Sequence, residues 1–406
     1  MVAQLTGAGS MNRTDRWGVY GTDLGHTFRF GDELRMVFGD TFGERWGVDW
    51  RSNAMAWMSD LDPSDGLRFD GMVTDREGHA KELLTSRKLP DVEFTVIPTN
   101  GVAVGNRMFL HYMSVRSWGP PGQWVVGHSG LAFSDDRGRT WVKDPNVIWP
   151  QGSNFAQVAM VRRDGFVYLF GIPQGRFGGV KLARVPEGSL LDKGAYSYWN
   201  GLVWVRGLEQ AATHIVPPPV GELSVQWSQY HGQWLMTYLN EVRDAIVLRS
   251  ALFLTGPWDH ERVLTLAADR QLYAPYLLPD QQGPDIYFTI SRYDVYNVFL
   301  MRTRLPRLDG VPSLPDDVPS LAAPASTATT PATVPTTPAW SPPHPPAPTN
   351  PPATPAPAAP GAGSQPRPPP PAGAPPEERP NGPPGMVDVL ANQPFGGSAR
   401  ASQRGT

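Results

Sequence analysis

Two aspartates near the start of the chain are flanked by residues of the types that commonly surround a catalytic carboxylate. Asp23 lies in the segment GTDLG (21–25), and Asp40 lies in FGDTFG (38–43). A carboxylate that interrupts an apolar strand is costly unless it has partners or a function, and flanking glycines let a ligand approach. Two such carboxylates suit glycoside hydrolysis: one donates a proton to the leaving oxygen, and the other activates water or attacks the anomeric carbon. The alternative is a tight turn in which the aspartate caps backbone N–H groups.

Polar residues around and after this pair are weaker candidates for binding a substrate. Thr22 and Thr41 flank the aspartates and are placed to orient the carboxylates by hydrogen bonds. Asn53 is a candidate for hydrogen bonding to a sugar hydroxyl, and Glu93 is a candidate third carboxylate that tunes the pair. Asn100 stands beside a glycine, as the aspartates do, and a role as a turn residue is equally supported.

The elements that must position these residues are β-strands. Before residue 308, short β runs alternate with turn residues, and tight turns such as Asp164-Gly165 join neighbouring runs. The runs form five groups of about 40–50 residues each, the period of a propeller blade. The groups cover 35–60, 101–142, 155–186, 223–258 and 273–305. This pattern predicts an all-β, five-bladed β-propeller over residues 1–308, closed by Val2–Thr6 joining the last blade.

A propeller presents its site at one end of the central channel, where the innermost strands converge. Gln157, Gln226, Tyr276 and Arg292 each lie near a predicted inner strand of the last three blades. Any one of them is more often structural than functional. Together they predict a polar, aromatic-lined channel of the kind that binds sugars.

Trp46 and Trp50 lie in a predicted loop after the second aspartate, where they either stack on sugar rings or cover the blade edge. The eight histidines show no metal-ligand spacing, and cysteine is absent. The sequence has no nucleophile elbow, P-loop or dinucleotide fingerprint. We therefore expect no organic cofactor and name no metal ligand, while a structural cation in the channel stays open.

The segment SDDRGRTW (134–141) resembles the Asp-box that occurs on blade hairpins of sialidase-like propellers. In that motif the aspartate and glycine shape a turn, and the tryptophan packs beneath it. The resemblance implies a structural position at the blade periphery rather than a catalytic one.

Several segments together look like a family of actinobacterial propellers that long carried only an unknown-function label. They are VAQLTG (2–7), RWGVYGTDLG (16–25), VFGDTFG (37–43), RSNAMAW (51–57) and IPTNGVAVG (97–105). The family is now associated with endo-D-arabinanases, which cut the D-arabinan of mycobacterial arabinogalactan and lipoarabinomannan. The resemblance covers roughly 2–305 and implies that the family's acidic pair falls on Asp23 and Asp40. It leaves open which of the two is the acid and whether the configuration is retained or inverted.

Residues 309–406 differ in composition, because proline, alanine and threonine dominate and large aliphatic residues almost vanish. Such a segment cannot bury enough apolar surface to offset its ordering entropy, so we predict a disordered tail. A spacer that holds the domain off a surface is favoured over a ligand for a proline-recognising domain.

The net charge of −3, without a basic stripe, argues against nucleic acid as a partner. No apolar run reaches the roughly 18 residues of a membrane helix, so we expect no transmembrane segment. Met1–Ser10 has no visible signal peptide, whereas the family resemblance implies a secreted or cell-envelope protein. The expected partner is an arabinan-type polysaccharide, and the expected state is a monomer.

Two other functions remain open. One is a carbohydrate-binding or cell-wall scaffolding propeller without turnover, which would bind arabinan and leave it intact. The other is a protein-interaction propeller, which would expose an apolar patch on one face.

Overall fold

Five antiparallel sheets follow one another along the chain within residues 1–267 and 271–307, which the computed structural model describes. Each sheet is one blade, so the predicted all-β, five-bladed β-propeller is confirmed. The predicted disordered tail, 309–406, lies outside the described residues. In the described part of the chain, no helix is long and apolar enough to cross a membrane.

The strands are named in chain order, and the chain begins with β1 (Ala3–Gln4). Blade I contains β2 (Gly21–Phe30), β3 (Glu33–Phe42), β4 (Ala54–Met58) and β5 (Gly71–Met72). Blade II contains β6 (Thr95–Val104), β7 (Arg107–Trp118), β8 (Trp124–Ser134) and β9 (Val142–Pro150). Blade III contains β10 (Gln157–Arg163), β11 (Phe166–Ile172), β12 (Gly178–Pro186), β13 (Ser197–Trp199), β14 (Trp204–Arg206) and β15 (His214–Val220). Blade IV contains β16 (Leu223–Ser228), β17 (Gln233–Asn240), β18 (Ala245–Ala251) and β19 (Arg262–Leu266). Blade V contains β20 (Leu272–Leu277), β21 (Asp285–Arg292), β22 (Asn297–Arg304) and the N-terminal β1.

Short 3₁₀ helices occur between strands in the described residues, at Thr14–Trp17, Glu187–Ser189, Lys193–Ala195 and Glu209–Ala211. The predicted turn at Asp164-Gly165 joins β10 to β11, and its two residues have φ of 50° and 77°. Positive φ at both central positions matches the right-handed twist of the flanking strands, which is why this dipeptide favours a hairpin.

The first strand of each blade lies around the central channel. These strands are β2, β6, β10, β16 and β20, and each packs against the next until β20 meets β2. The ring is closed by β1, which pairs antiparallel with β22 through Ala3–Leu300 and Gln4–Phe299. This is the predicted joining of the N-terminal segment to the last blade, and it leaves no open edge between the first blade and the last.

Buried apolar side chains fill the spaces between neighbouring blades. One cluster joins blades I and V and includes Leu5, Met36 and Leu300, each fully buried. Similar clusters lie between the other neighbouring blades. Large aromatic residues contribute to these clusters, where Trp149 and Tyr198 are almost completely buried.

The SDDRGRTW segment (134–141) forms the turn between β8 and β9. The Asp136 carboxylate accepts hydrogen bonds from the Ser134 hydroxyl and from the backbone and hydroxyl of Thr140. The Trp141 indole N–H donates to the carbonyl of Gly138. These contacts give the motif a turn-shaping role at the edge of blade II and no contact with the aspartate pair.

Closure of the ring by the N-terminal segment gives a first prediction. Leu5→Ala removes a fully buried side chain from the cluster between blades I and V, and we expect it to cost about 2–5 kcal/mol of unfolding free energy. Val2→Ala, in the same segment but half-buried, is the matched control and is expected to cost less. Denaturant unfolding of the full chain measures both. Equal, small losses would mean that the segment does not contribute to closure.

Candidate functional site

The five inner strands begin on one face of the propeller, and polar residues cluster at their starts. Asp23 is the third residue of β2, Thr95 opens β6, and Gln157 opens β10. Glu222 immediately precedes β16, and Tyr273 is the second residue of β20. Because the strands share one direction around the channel, these side chains meet at the same mouth.

The backbone of β2 is irregular where it presents Asp23. The β2–β3 register shifts on both sides of Leu24, and Leu24 has φ of 66°, a left-handed conformation that is uncommon for a residue with a side chain. The Leu24 N–H donates to the Ser291 hydroxyl at 2.8 Å, which holds the bulge to blade V. On the neighbouring strand, a Cβ at Gly39 would lie 2.4 Å from Asp23 Oδ1. The bulge aims the carboxylate, and the glycine leaves the space that it fills.

Asp23 is half-buried, and one of its two carboxyl oxygens is enclosed by the protein. The Tyr273 hydroxyl donates to Oδ2 at 2.9 Å, while Oδ1 is buried with no hydrogen-bond partner among the described residues. Burial raises the pKa of Asp23 to about 8, with a further contribution from the nearby charge of Asp40. The hydrogen bond from Tyr273 lowers this pKa but does not offset burial. Asp23 therefore holds a proton at neutral pH.

Asp40 lies in a different environment and is only 8% exposed. Its Oδ1 accepts a hydrogen bond from the Trp50 indole at 2.7 Å and another from the Thr95 hydroxyl at 2.6 Å. Burial raises the pKa of Asp40 to about 6, less than for Asp23, because both hydrogen bonds and the positive charge of Lys88 favour the carboxylate. At neutral pH Asp40 is therefore mostly ionised, and the pair carries one proton.

A third carboxylate at this mouth, Glu222, was missed by the sequence analysis. Glu222 is 8% exposed and accepts bidentate hydrogen bonds of 2.9–3.1 Å from the Arg176 guanidinium. Arg176 also lies 3.5 Å from Glu241 and 5.2 Å from the centre of the Tyr273 ring. The negative charge of Glu222 contributes to the raised pKa of Asp23.

The loop between β3 and β4 brings two tryptophans to the mouth. Trp46 packs with its ring centre 4.7 Å from that of Phe42 and 4.3 Å from that of Tyr296. The Trp50 ring lies under the Lys88 ammonium at 3.9 Å while its N–H bonds Asp40. Trp46 covers the blade edge, which is one of the two roles predicted for these tryptophans. Trp50 instead bonds a carboxylate of the aspartate pair directly.

Thr22 and Thr41 are buried beside the pair, but their hydroxyls do not bond the carboxylates. They bond each other at 2.7 Å across β2 and β3, and the Thr41 hydroxyl also bonds the carbonyl of Gly39. The predicted orientation of the carboxylates by these threonines is therefore corrected: Thr95, Trp50 and Tyr273 donate those bonds.

Asn53 is fully buried, and backbone groups use its whole amide. Its N–H₂ group donates to the carbonyls of Leu84 and Val96, and its oxygen accepts from the N–H groups of Leu83 and Leu84. No hydrogen-bonding capacity is left for a sugar hydroxyl. The predicted sugar contact is corrected to an anchor for the chain before β6.

Glu93, the predicted third carboxylate, faces another set of partners. It accepts from the Ser114 hydroxyl at 2.8 Å and from the Arg87 N–H at 3.2 Å, and Lys143 lies 3.9 Å away. The carboxylate that acts on Asp40 from this side is Glu82, which raises the Asp40 pKa. The tuning role predicted for Glu93 therefore belongs to other residues.

Two predicted binding residues join strands or loops to one another. Asn100 is buried within β6 and accepts from the Met160 N–H at 3.1 Å, so it links blades II and III. Gln157 lies at the mouth, but its amide donates to the carbonyl of Gly175. Only Gln157 of these two shares the face of the aspartates.

The last three predicted residues occupy separate places. Tyr276 is 3% exposed in the channel wall, with its ring in an edge contact with His26 at 5.7 Å. Gln226 lies near the far end of β16, at the opposite mouth of the channel. Arg292 ends the second strand of blade V, opposite Leu272 of the inner strand β20, and its guanidinium pairs with Asp294. The structure does not bring Gln226 to the aspartate pair.

Among residues 1–267 and 271–307, no group of three or more histidine, aspartate or glutamate side chains is arranged to hold a metal ion. The buried histidine in the channel, His26, has its pKa lowered to about 3 by burial, so it is neutral. The chemistry available at this mouth is proton transfer between carboxyl groups and a ligand.

Comparison with solved structures places the chain beside other propellers. It is similar to a putative hydrolase from Bacteroides ovatus ATCC 8483, with 12% identity, coverage of 71% of this chain and 86% of that one, and a TM-score of 0.50. That likeness concerns the fold. A GH43_1 enzyme from Xanthomonas citri matches with 14% identity over 70% of this chain and 88% of that one, at a TM-score of 0.45.

Comparison at the level of sequence is more specific. The chain is 31% identical over 307 residues to the notoamide biosynthesis cluster protein J of Aspergillus sp. (strain MF297-2), which covers 68% of this chain and 81% of that protein. Residues 9–302, which include both aspartates and nearly all of the propeller, match the model of a domain of unknown function, DUF4185. The chain therefore belongs to the DUF4185 family.

Proposed function

We propose that this protein is a glycoside hydrolase, an endo-D-arabinanase, in which Asp23 is the general acid and Asp40 is its ionised partner. The observation that carries the proposal is the different hydrogen bonding of two neighbouring carboxyl groups: Asp40 Oδ1 accepts from Trp50 and Thr95, whereas Asp23 Oδ1 has no partner among the described residues. In keeping with this, burial raises the pKa of Asp23 to about 8 and that of Asp40 to about 6. Two titratable groups whose environments separate their pKa values in this way supply the acid and the base of glycoside cleavage.

Each role follows from the contacts of the residue. Asp23 is protonated at neutral pH and donates its proton to the leaving glycosidic oxygen. Asp40 keeps its charge because Trp50 and Thr95 bond its Oδ1, and its Oδ2 makes no hydrogen bond within the described residues. That free oxygen takes the proton of an attacking water or attacks the anomeric carbon itself.

Glu222 serves this pair without transferring a proton. Its carboxylate is held in a bidentate pair by the Arg176 guanidinium, which fixes its position beside the aspartates. Its negative charge adds to burial and to the charge of Asp40 in raising the pKa of Asp23. Arg176, stacked beside the ring of Tyr273, holds this charge in place.

The choice of D-arabinan as the substrate is supported by the sequence resemblance in the segments around both aspartates. The aromatic groups at the mouth suit a sugar chain, because Tyr273 and Trp50 present both a ring and a polar atom beside the carboxylates. Binding of arabinan without cleavage is the competing function, and the same substitutions separate the two.

Asp23→Asn and Asp40→Asn are each expected to lower the release of arabino-oligosaccharides from arabinogalactan at least about 100-fold, because each removes a proton-transfer group. Asp164→Asn is the matched control, since this exposed turn residue lies far from the pair and Asn tolerates its positive φ. Chromatography of products from the full chain measures all three. Release that survives both substitutions would exclude this pair, and binding with no release by the wild type would favour a non-catalytic propeller.

The pH dependence of kcat/KM is expected to be bell-shaped, with an acid limb near 6 from Asp40 and an alkaline limb near 8 from Asp23. Tyr273→Phe removes a hydrogen bond that favours the ionised form of Asp23, so its pKa rises and the alkaline limb moves to higher pH. Initial rates from pH 4 to 10 test this. An alkaline limb that stays in place in Tyr273→Phe would contradict the assignment of Asp23 as the acid.

Burial of Asp23 also predicts a gain in stability on its removal. The pKa of Asp23 is raised in the folded state, so its contribution to stability is present below the unfolded-state pKa of about 3.9 and is lost as pH rises through about 8. Asp23→Asn avoids this loss and should raise Tm by at least about 4 °C at pH 9, with a smaller gain at pH 5. Calorimetry beside Asp164→Asn measures the difference. Equal shifts at both pH values would refute burial as the cause.

A further inference from the structure

A cavity of about 490 Å³ lies at the opposite end of the channel from the aspartates. Its walls come from the last residues of the inner strands and from the segment after β20. We call this cavity the distal vestibule; it is defined by Thr27, Arg29, Arg162, Gln226, Trp227 and Gln282, among others. Its volume is in the range that binds small organic ligands.

The distal vestibule contains a buried polar group that nothing in the described chain satisfies. Thr27 is 5% exposed, and its hydroxyl has no hydrogen-bond partner there. Gln226 is half-buried, and its amide likewise makes no hydrogen bond within the described residues. A buried hydroxyl without a partner is costly, so a bound polar molecule that pairs with it is favoured.

The charges of the distal vestibule are already neutralised. Arg29 pairs with Asp280 at 2.6 Å, and Arg162 forms a bidentate pair with Glu187 at 2.8–2.9 Å. Because each guanidinium has its own carboxylate, the site carries no unpaired charge to attract an ionic ligand. The groups left for recognition are hydroxyl and amide, which suit a neutral ligand rich in hydroxyl groups.

The side chain of Trp227 adds an aromatic surface to the hydroxyl and amide groups of the vestibule. Trp227 is half-buried in the wall of the vestibule, held in an edge contact with Trp234 at 5.4 Å between ring centres. Its N–H donates to the side chain of Gln229 at 3.2 Å, which further restricts the ring. A fixed aromatic ring beside amide groups supplies an apolar surface for a sugar ring and polar groups for its hydroxyls.

We propose that the distal vestibule is a second carbohydrate-binding site, which holds a short neutral oligosaccharide segment without cleaving it. Its two lining or adjacent carboxylates, Asp280 and Glu187, are each engaged by an arginine, so the site lacks the divergent pair found at the other mouth. The proposal stands apart from hydrolysis, because it needs neither Asp23 nor Asp40 to act.

The test uses the full chain carrying Asp40→Asn, so that a glycan is not consumed during measurement. Short arabino-oligosaccharides from mild acid hydrolysis of arabinogalactan are titrated calorimetrically, with xylo- and cello-oligosaccharides as further probes. Trp227→Ala and Gln226→Ala are added separately in this background. Trp204→Ala is the matched control, because Trp204 is also half-buried and forms a tilted pair with Trp199 at 5.3 Å between ring centres, outside the vestibule.

At least one of these glycans is expected to bind to the Asp40→Asn protein. Trp227→Ala should weaken a binding event at least about tenfold, and Gln226→Ala should weaken the same event, while Trp204→Ala leaves it unchanged. Circular dichroism establishes that each variant is folded. Binding that is identical in all variants, or absent for every probe, would overturn the proposal. Cleavage by the wild type, assayed in parallel, decides the proposed function separately.

Discussion

Closure of the ring is the constraint on which the rest of this protein depends. Five sheets share clusters of apolar side chains with their neighbours; β1 pairs with the last strand, and Leu5 packs between the first and last blades. Because closure forces the inner strands to start on one face, residues from distant parts of the sequence meet there. Asp23, Thr95, Glu222 and Tyr273 come from four different blades and share one mouth only because the ring is complete.

Bringing these residues together at one mouth changes the ionisation of the two aspartates most. Burial raises the pKa of both Asp23 and Asp40, but donors surround one and a neighbouring charge opposes the other. The bulge at Leu24 and the missing side chain at Gly39 show that the backbone itself is adapted to hold Asp23 in an unfavourable place. Such local strain persists where the surrounding structure determines it, and here blade V supplies that support through Ser291 and Tyr273.

The fold was predictable from the sequence because blade periodicity and turn chemistry are local signals, as at Asp164-Gly165. Asp23 and Asp40 were predictable for a similar reason, because a carboxylate between glycines in an apolar strand can be recognised from a few neighbouring residues. The residues that surround the pair were not predicted. Arg176 and Tyr296 lie in loops whose position depends on the geometry of the ring, which the sequence does not show. Glu222 and Thr95 could have been predicted, because each lies at the start of an inner strand. Asn53 was misread because its backbone partners cannot be inferred from its neighbours in sequence.

The contact between Tyr273 and Asp23 joins residues 250 positions apart. During synthesis, Asp23 leaves the ribosome long before the strand that carries Tyr273 exists, so its carboxylate is solvated and charged while the first blades form. Desolvation of the acid therefore belongs to the final docking of blade V rather than to the folding of blade I. The order of translation thus separates assembly of the scaffold from burial of this acid, and a lower pH reduces the free-energy cost of protonating it in the last step of folding.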